Sequence, residues 1–335
     1  MDKKKKFVGK LNIYRSLIIL VIMCAVASIL SPSFLRLNNL FNVFRQVAIA
    51  GILGAGMTFV ILTGGIDLSV GSILGLAGSV AAGVLVKTNN ALLACLVAIL
   101  IGLIAGTLNG FFVAKLRIPP FIATLGMMTL LRGCVLVYTK GSPIPIKSDA
   151  YKFIGKASIA GIPLPVLILI VVFLIAHFIL SKTIFGRNVY ALGGNREAAR
   201  LSGIDTVRTE WLVYIINGLL CGLAAIVLTA RLGSAQSTLG EGIEMDAIAA
   251  VILGGTSLSG GTGYVLPTVA GAMIMGIIDN ILTLMNVNPH ATSIVKGAVI
   301  LLAVILDKKV KDLSEKTEIN QKNKKGAKKW KKFLN

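Results

Sequence analysis

Apolar runs separated by short polar stretches organise this chain from near its start to near its end. They occupy residues 17–31, 45–62, 70–86, 91–114, 120–138, 163–180, 211–230, 245–258, 264–285 and 291–306. An α-helix rises ~1.5 Å per residue, so about 20 apolar residues cross the ~30 Å hydrocarbon layer, and ~17 are the minimum. The pattern therefore predicts an all-α polytopic membrane protein of about ten transmembrane helices. Two runs are short. The first needs residues 11–16 to complete it, and 245–258 reads as a broken or half-crossing helix. Lipid tolerates such a break only where protein or a cavity surrounds the freed backbone groups.

These runs divide the chain into a basic segment 1–16, one transmembrane domain 17–306 carrying a polar loop at 181–210, and a lysine-rich tail 307–335. Lys3 to Lys6 ahead of the first run, with Ala25-Val26-Ala27 inside it, imitate a signal peptide and its cleavage site. The expectation is an uncleaved first span.

Composition agrees with a chain solvated by lipid: 55% of residues are hydrophobic and 14% charged, with a mean hydropathy of +0.84. Soluble domains carry about 25% charged residues. A net charge of +20 would point to nucleic acid in a soluble protein, but in this chain the charges sit in loops and termini. With the N-terminus inside, 24 lysines and arginines fall on the inner side, in 1–16, 115–118, 181–210 and 307–335. Eight fall outside (Arg36, Arg45, Lys87, Lys140, Lys147, Lys152, Lys156 and Arg231), and Arg132 and Lys296 lie within runs. Positive-inside bias then places both termini and the 181–210 loop in the cytoplasm.

The chain offers little for catalysis. Cys24, Cys95, Cys134 and Cys221 are scattered singly in apolar runs, and His177 and His290 have no metal-ligand companion. Residues 141–148 approach a phosphate-binding loop, but Ile146 stands where glycine must precede Lys147. No Ser/His/Asp arrangement is available, so no metal site, bound cofactor or enzyme activity is expected, and any ATP has to be hydrolysed by another chain.

Ionisable and polar groups inside apolar runs are costly, about 2.5–3.5 kcal/mol for a charge at a helix centre. Arg132, Asp246, Asp279 and Lys296 are such residues. Asp279 and Lys296 flank the 285–291 turn at similar depth, which predicts an intramembrane ion pair clipping that hairpin. Thr58, Asn109, Asn217 and Asn280 are intramembrane polar groups; each is read as a helix–helix hydrogen-bonding group or as a lining of a translocation pathway. Gly71 and Gly75, then Gly102, Gly106 and Gly110, then Gly218 and Gly222 recur every fourth residue, giving small faces for close helix packing within a bundle or between subunits. Finally, 64–71 and 254–261 share the pattern G-G-x-x-L-S-x-G, an echo of the kind that marks broken helices in transporters.

The 181–210 loop contains a polar island at 186–204 with Gly186, Arg187, Gly193, Gly194, Asn195, Glu197, Ala198, Ala199 and Gly203. Gly193-Gly194 permits a turn, Asn195 or Ser202 is placed to cap a short helix, and Ala198 with Ala199 offers a small face flanked by Arg196, Glu197 and Arg200. The Glu-Ala-Ala-x-x-x-Gly core resembles the loop by which ABC-transporter permeases dock on their ATPase. Other pieces extend the likeness over about residues 12–308: Gly56-Met57-Thr58, the GGIDLSVGS run 64–72, 121–133, 239–244, 246–261 and 294–297. The chain resembles permease subunits of bacterial ABC sugar importers of the ribose/xylose/galactose type. Residues 135–138 and 141–143 look most like the ribose-transporting members, while the Ile-x-Leu-Pro that often follows the docking motif is absent at 213–216.

The resemblance implies a transporter subunit of the bacterial inner membrane that passes a monosaccharide, ribose first among them, into the cytoplasm. It implies a cytoplasmic ATPase holding ATP and magnesium, an extracytoplasmic sugar-binding protein, and a second permease copy forming a homodimer. The basic tail reads as a contact for anionic lipids rather than nucleic acid. The alternatives are an ion-coupled secondary transporter, for which only Asp279 is a mid-span acid, and an ABC permease for another small solute such as another pentose or hexose or a branched-chain amino acid.

Overall fold

The structure, a computed structural model, describes the backbone of residues 3–288 and 290–305, and side chains from residue 16 onward. The lysine-rich 307–335 tail lies outside the described residues, as do the side chains of the basic segment before Ser16. The described chain is helical: α1 Lys3–Leu30, α2 Leu37–Leu62, α3 Val70–Thr88, α4 Ala91–Gly110, α5 Pro120–Thr139, α6 Asp149–Lys156, α7 Leu164–Lys182, α8 Ile184–Gly194, α9 Arg196–Leu201, α10 Thr206–Leu232, α11 Ile243–Leu253 and α12 Thr268–Leu284. A last helix, α13, runs His290–Ile305. Short strands β1 Ile144–Pro145 and β4 Ser234–Ala235 pair antiparallel, as do β2 Ser158–Ile159 and β3 Ile162–Pro163.

Among the described residues, six helices are long and apolar enough to cross a membrane: α2, α3, α4 with its π-helical extension Phe111–Lys115, α5, α7 and α10. Ser16–Leu30, α12 and α13 are shorter apolar helices. This is a multi-pass membrane protein. Its outward surface shows why: Leu92, Leu96, Leu100, Ile104 and Leu108 form an exposed stripe down α4, and Ile170, Val171, Leu174, Ile175 and Phe178 do the same on α7. Water would penalise so much exposed apolar area, whereas lipid does not.

The centre of the bundle is α2 packed on α10, α11 and α12, with α3 and α4 against α10. Almost all of α2 from Val47 onward is buried. The small faces of α4 and α10 meet each other inside the subunit: a Cβ added to Gly102 would run into the Gly218 carbonyl, and one on Gly106 into the Tyr214 carbonyl. Trp211 closes that seam, its Nε1 donating to the Thr107 carbonyl at 3.0 Å. Gly71 and Gly75 of α3 instead pack on the 239–240 backbone.

The run 245–258 is a broken helix. α11 ends at Leu253, so its 11 residues rise only about 16 Å. Residues 254–267 are non-helical before α12 begins. The two segments of the G-G-x-x-L-S-x-G echo are built alike. α2 ends with Gly64 N–H donating to Ile61 O and Gly65 N–H to Val60 O, and α11 ends with Gly255 donating to Ile252 O and Thr256 to Val251 O. Gly64 and Gly255 have φ of +84° and +86°, the left-handed cap that only glycine takes without strain. Further on, Ser69 N–H donates to the Asp67 carboxylate and Ser259 N–H to the Ser257 hydroxyl. The caps sit one residue apart in the register of the echo, since Gly254, which aligns with Gly64, has φ −68°. The two turns share the type of cap and the Ser N–H bond, not a position-for-position design.

The loops segregate to two ends. The 63–69 and 254–263 turns gather with α8 at one, since Gly261 N–H donates to Leu62 O at 2.9 Å and Gly193 packs on both. At the other, Ile146 N–H donates to Gly233 O and Gly155 packs on the Ala230–Arg231 backbone.

Candidate coupling site

The polar island folds into two short helices set across the end of the bundle. Thr183 caps α8 by accepting from Gly186 N–H, and Asn195 caps α9 by accepting from Ala198 N–H at 2.9 Å. Such caps satisfy backbone donors that the first helical turn leaves without partners. α9 closes through Gly203 at φ +82°, with Ile204 N–H returning to Ala199 O, and Asp205 then caps α10. Glu197 in the first turn and Arg200 in the last complement the helix dipole.

Residues 194–198 and 200–203 of this elbow are exposed. Ala199 is buried against its own chain, so the outward small face is Ala198 with Leu201, an apolar residue left 79% exposed. Arg200 pairs with Glu197 at 3.1 Å on the surface, a bond of little energetic weight. Arg196 turns inward instead and grips the buried Glu210 of α10 with both guanidinium nitrogens, at 2.9 and 2.8 Å. That fork fixes α9 to α10 and commits the guanidinium of Arg196 to Glu210 while its side chain stays partly exposed. Sequence alone singles out neither Glu210 nor Leu201, since one reads as loop charge and the other as a helix former.

Beneath α9, α8 sits on both broken-helix turns. Phe185 stacks on Phe59 of α2 with ring centroids 6.5 Å apart. A Cβ on Gly193 would run into the Leu62 carbonyl, with Gly261 N only 2.5 Å away. Gly186 packs equally tightly on the Ile179 and Leu180 carbonyls, whereas Gly194 has open space around it and Arg187 is exposed. Tyr190 donates to Gly263 O at 2.8 Å. Burial, with Tyr264 nearby, pushes its hydroxyl up to about 12, so it stays a donor at physiological pH.

The intramembrane polar residues fall into three groups. Thr58 bonds Gly54 O at 2.7 Å and lies 3.1 Å from the Thr268 hydroxyl, joining α2 to α12. Asn280 exchanges hydrogen bonds with Asn39 at 2.8 and 2.9 Å. Asn109 and Asn217 converge on the fully buried Asp67, whose carboxylate accepts from Asn217 Nδ2 at 2.8 Å, Asn109 Nδ2 at 3.4 Å, Ser69 N–H at 2.9 Å and Ser69 Oγ at 2.6 Å. All four sequence candidates thus make helix–helix or helix–turn bonds. A search of the apolar runs for charges passes over Asp67, which falls between two of them; an acid in a glycine-bounded turn is the signal that could have found it.

Asp279 and Lys296 lie 2.9 Å apart, and Lys296 reaches Asp246 of α11 at 2.9 Å as well. One cation therefore ties α11, α12 and α13 together, with Gln46 of α2 at 3.4 Å from Asp279. A cavity of about 220 Å³ adjoins the cluster, lined by Gln46, Arg231, Asp246 and Asp279 among apolar neighbours. Arg132 donates to Leu239 O at 2.9 Å. Among the described residues, no group of His, Cys, Asp and Glu is arranged to hold a metal ion.

Known proteins resemble this chain over nearly its whole length. The family model described as branched-chain amino acid transport system / permease component matches residues 39–304. The ribose import permease protein of Escherichia coli (strain K12) is 49% identical over 299 residues, covering 88% of this chain and 93% of the relative. That of Bacillus subtilis (strain 168) is 49% identical over 302 residues, 90% of this chain and 93% of the relative. The D-allose transport system permease protein of Escherichia coli (strain K12) is 40% identical over 297 residues, covering 88% and 91%. No solved structure matches.

Proposed function

Since this chain belongs to the permease-component family matched across residues 39–304, we propose that it is the membrane permease of an ATP-driven ABC importer for ribose. It is a transporter subunit and not an enzyme; ATP and magnesium reside on a separate cytoplasmic ATPase, and an extracytoplasmic binding protein delivers the sugar. The observation that carries the substrate is the 49% identity to two ribose import permease proteins over about nine-tenths of this chain. The D-allose relative, at 40%, stands further off.

In this reading the exposed face of α9, with Glu197, Ala198 and Leu201, seats in a groove of the ATPase. Gly193, Gly194, Asn195 and Gly203 shape the elbow, and Gly186 with Arg187 belongs to the α8 arm that carries it. Two copies of the chain enclose the pathway as a homodimer in the bacterial inner membrane. Ten spans, with α11 as a broken crossing, put both termini and the 181–210 loop in the cytoplasm, the orientation that the positive-inside count favours. The 307–335 tail then faces anionic lipid headgroups. A neutral sugar needs hydroxyl and amide partners rather than a charge well. The Asp67 and Lys296 clusters are accordingly read as joining helices rather than as contacts for the sugar. Thr58, Asn109, Asn217 and Asn280 are read by their helix-joining bonds rather than as a lining of the pathway.

The substrate is tested by uptake of labelled ribose into vesicles bearing the permease with its ATPase and binding protein. Unlabelled ribose is expected to compete at least tenfold better than allose, xylose or galactose. Stronger competition by any of these, or by leucine, would overturn the assignment to ribose.

A further inference from the structure

The carboxylate of Asp67 is costly to hold where it is. It is fully buried at the centre of an apolar bundle, and among the described residues no lysine or arginine pairs with it. An isolated buried charge is tolerated only where hydrogen-bond donors replace its lost water. Four donors do so, and their origins are informative. Two come from Ser69 in its own turn, one from Asn217 near the middle of α10, and one from Asn109 at the end of α4. Asn109 Nδ2 also donates to Ser69 Oγ at 2.7 Å, closing the ring. Thr124 of α5 accepts from Leu68 N–H at 3.2 Å beside it.

The other end of the same turn is made of bare backbone. Leu62 O accepts from Gly261 N–H, and Gly193 of α8 and Gly260 press on the 62–64 backbone where no Cβ fits. The turn thus touches α8 at one end and is nailed to α4 and α10 at the other. The second turn of the echo follows a cap of the same type, displaced by one residue, and carries Ser257 where the first carries Asp67. A neutral hydroxyl makes the corresponding Ser N–H bond there, at 3.3 Å against 2.9 Å, so a charge is not required for that local bond to form. It is needed to hold the turn on two helices.

We propose that Asp67 is a positioning residue of the transport stroke: its carboxylate locks the 63–69 turn onto α4 and α10, making the turn a rigid seat through which movement of α8 reaches the transmembrane core. This rests on the importer reading above. Without the lock, α8 displaces a loose turn, and ATP is hydrolysed without moving the helices.

The test uses the full complex in liposomes and the purified permease alone. In Asp67→Asn, the complex is expected to assemble and hydrolyse ATP within twofold of wild type, while sugar uptake per ATP falls at least tenfold. The exchange Asp67→Asn with Asn217→Asp moves the carboxylate across the same contact and is expected to restore uptake per ATP to within threefold. On the permease alone, Asp67→Asn is expected to raise amide hydrogen exchange in residues 63–69 at least tenfold while the α10 amides stay unchanged. If Asp67→Asn fails to accumulate, Asn217→Ala, which keeps the charge and removes one donor, is expected to give the same loss of uptake per ATP. Normal uptake per ATP in Asp67→Asn, a parallel fall of uptake and hydrolysis, or unchanged exchange at 63–69 would overturn the proposal. A wild-type complex with no ATP-driven uptake would overturn the importer reading instead, and the exchange measurement would still decide whether Asp67 is the lock.

Discussion

Replacing Lys296 by methionine removes the cation shared by two carboxylates and keeps an unbranched side chain out to its ε atom. Asp246 Oδ2 and Asp279 Oδ1 each lie 2.9 Å from the ammonium nitrogen, so the two oxygens are at most about 6 Å apart. Their repulsion at an effective dielectric near ~20 is about 3 kcal/mol. Removing one partner of a buried pair costs ~3–5 kcal/mol, which agrees. Lys296→Met is therefore expected to destabilise the permease by about 3–5 kcal/mol. Asp279→Asn leaves Lys296 with Asp246 and is expected to cost less, about 1.5–3 kcal/mol, the scale of one lost charged hydrogen bond. Combining Lys296→Met with Asp279→Asn removes the repulsion and is expected to recover at least half of the loss. The exchange Asp279→Lys with Lys296→Asp is expected to yield more folded protein than either single change. Reversible unfolding in mixed micelles, followed by tryptophan fluorescence, measures each variant. A Lys296→Met protein within ~1 kcal/mol of wild type, or a double variant weaker than the two singles combined, would refute the shared-cation account.

Glu197→Lys and Gly203→Arg alter the exposed elbow, so each is expected to leave the permease inserted while abolishing transport; wild-type ATPase co-purification together with normal uptake would remove the docking role. Gly193→Ala drives a methyl group into the Leu62 carbonyl and is expected to cut uptake at least tenfold at unchanged expression, whereas Gly194→Ala, whose added methyl group meets open space, is expected to leave uptake within about twofold of wild type. Single cysteines at Ser181 and Ser158 are expected to be protected from and labelled by an impermeant thiol reagent in intact cells, respectively; labelling at Ser181 would invert the topology. Tyr190→Phe loses one hydrogen bond, about 0.5–1.5 kcal/mol. Raising the folded tyrosine above its usual value to about 12 gives stability present below about pH 10 and lost only as pH climbs toward 12. The Tyr190→Phe deficit is accordingly the same at pH 6 and pH 9, and a difference across that range would contradict the burial of this hydroxyl.

Hydropathy locates the helices because lipid leaves few other solutions for an apolar run. It places their ends less well. α2 begins at Leu37, well ahead of the run at 45, because Asn38, Asn39 and Asn42 interrupt the apolar signal. Asn39 finds its partner in Asn280, 241 residues away, which no local window detects. The break after Leu253 is legible, since 245–258 is short and glycine follows. The site is legible where its chemistry is local: Asn195, Ala198 and Gly203 make a cap, a turn and a stop within nine residues of chain. It is illegible where the chemistry is long-range. Ala199 reads like Ala198 in sequence, yet one is buried and the other exposed. Arg196 reads as a rim charge until Glu210 is seen beneath it. Asp246 reads as a lone acid at the start of a short run until Lys296 arrives from α13. Asp67 has meaning only once α4 and α10 bring amides to it.

The most direct test of the account is reconstitution of the permease in liposomes with its ATPase and its ribose-binding protein. Ribose uptake is expected to require ATP on the ATPase side and the binding protein on the other, to vanish when either is omitted, and to be indifferent to ionophores. Uptake that proceeds without ATP, or that an uncoupler abolishes while ATP is held constant, would mean an ion-coupled transporter and would contradict the docking role of the α8–α9 elbow.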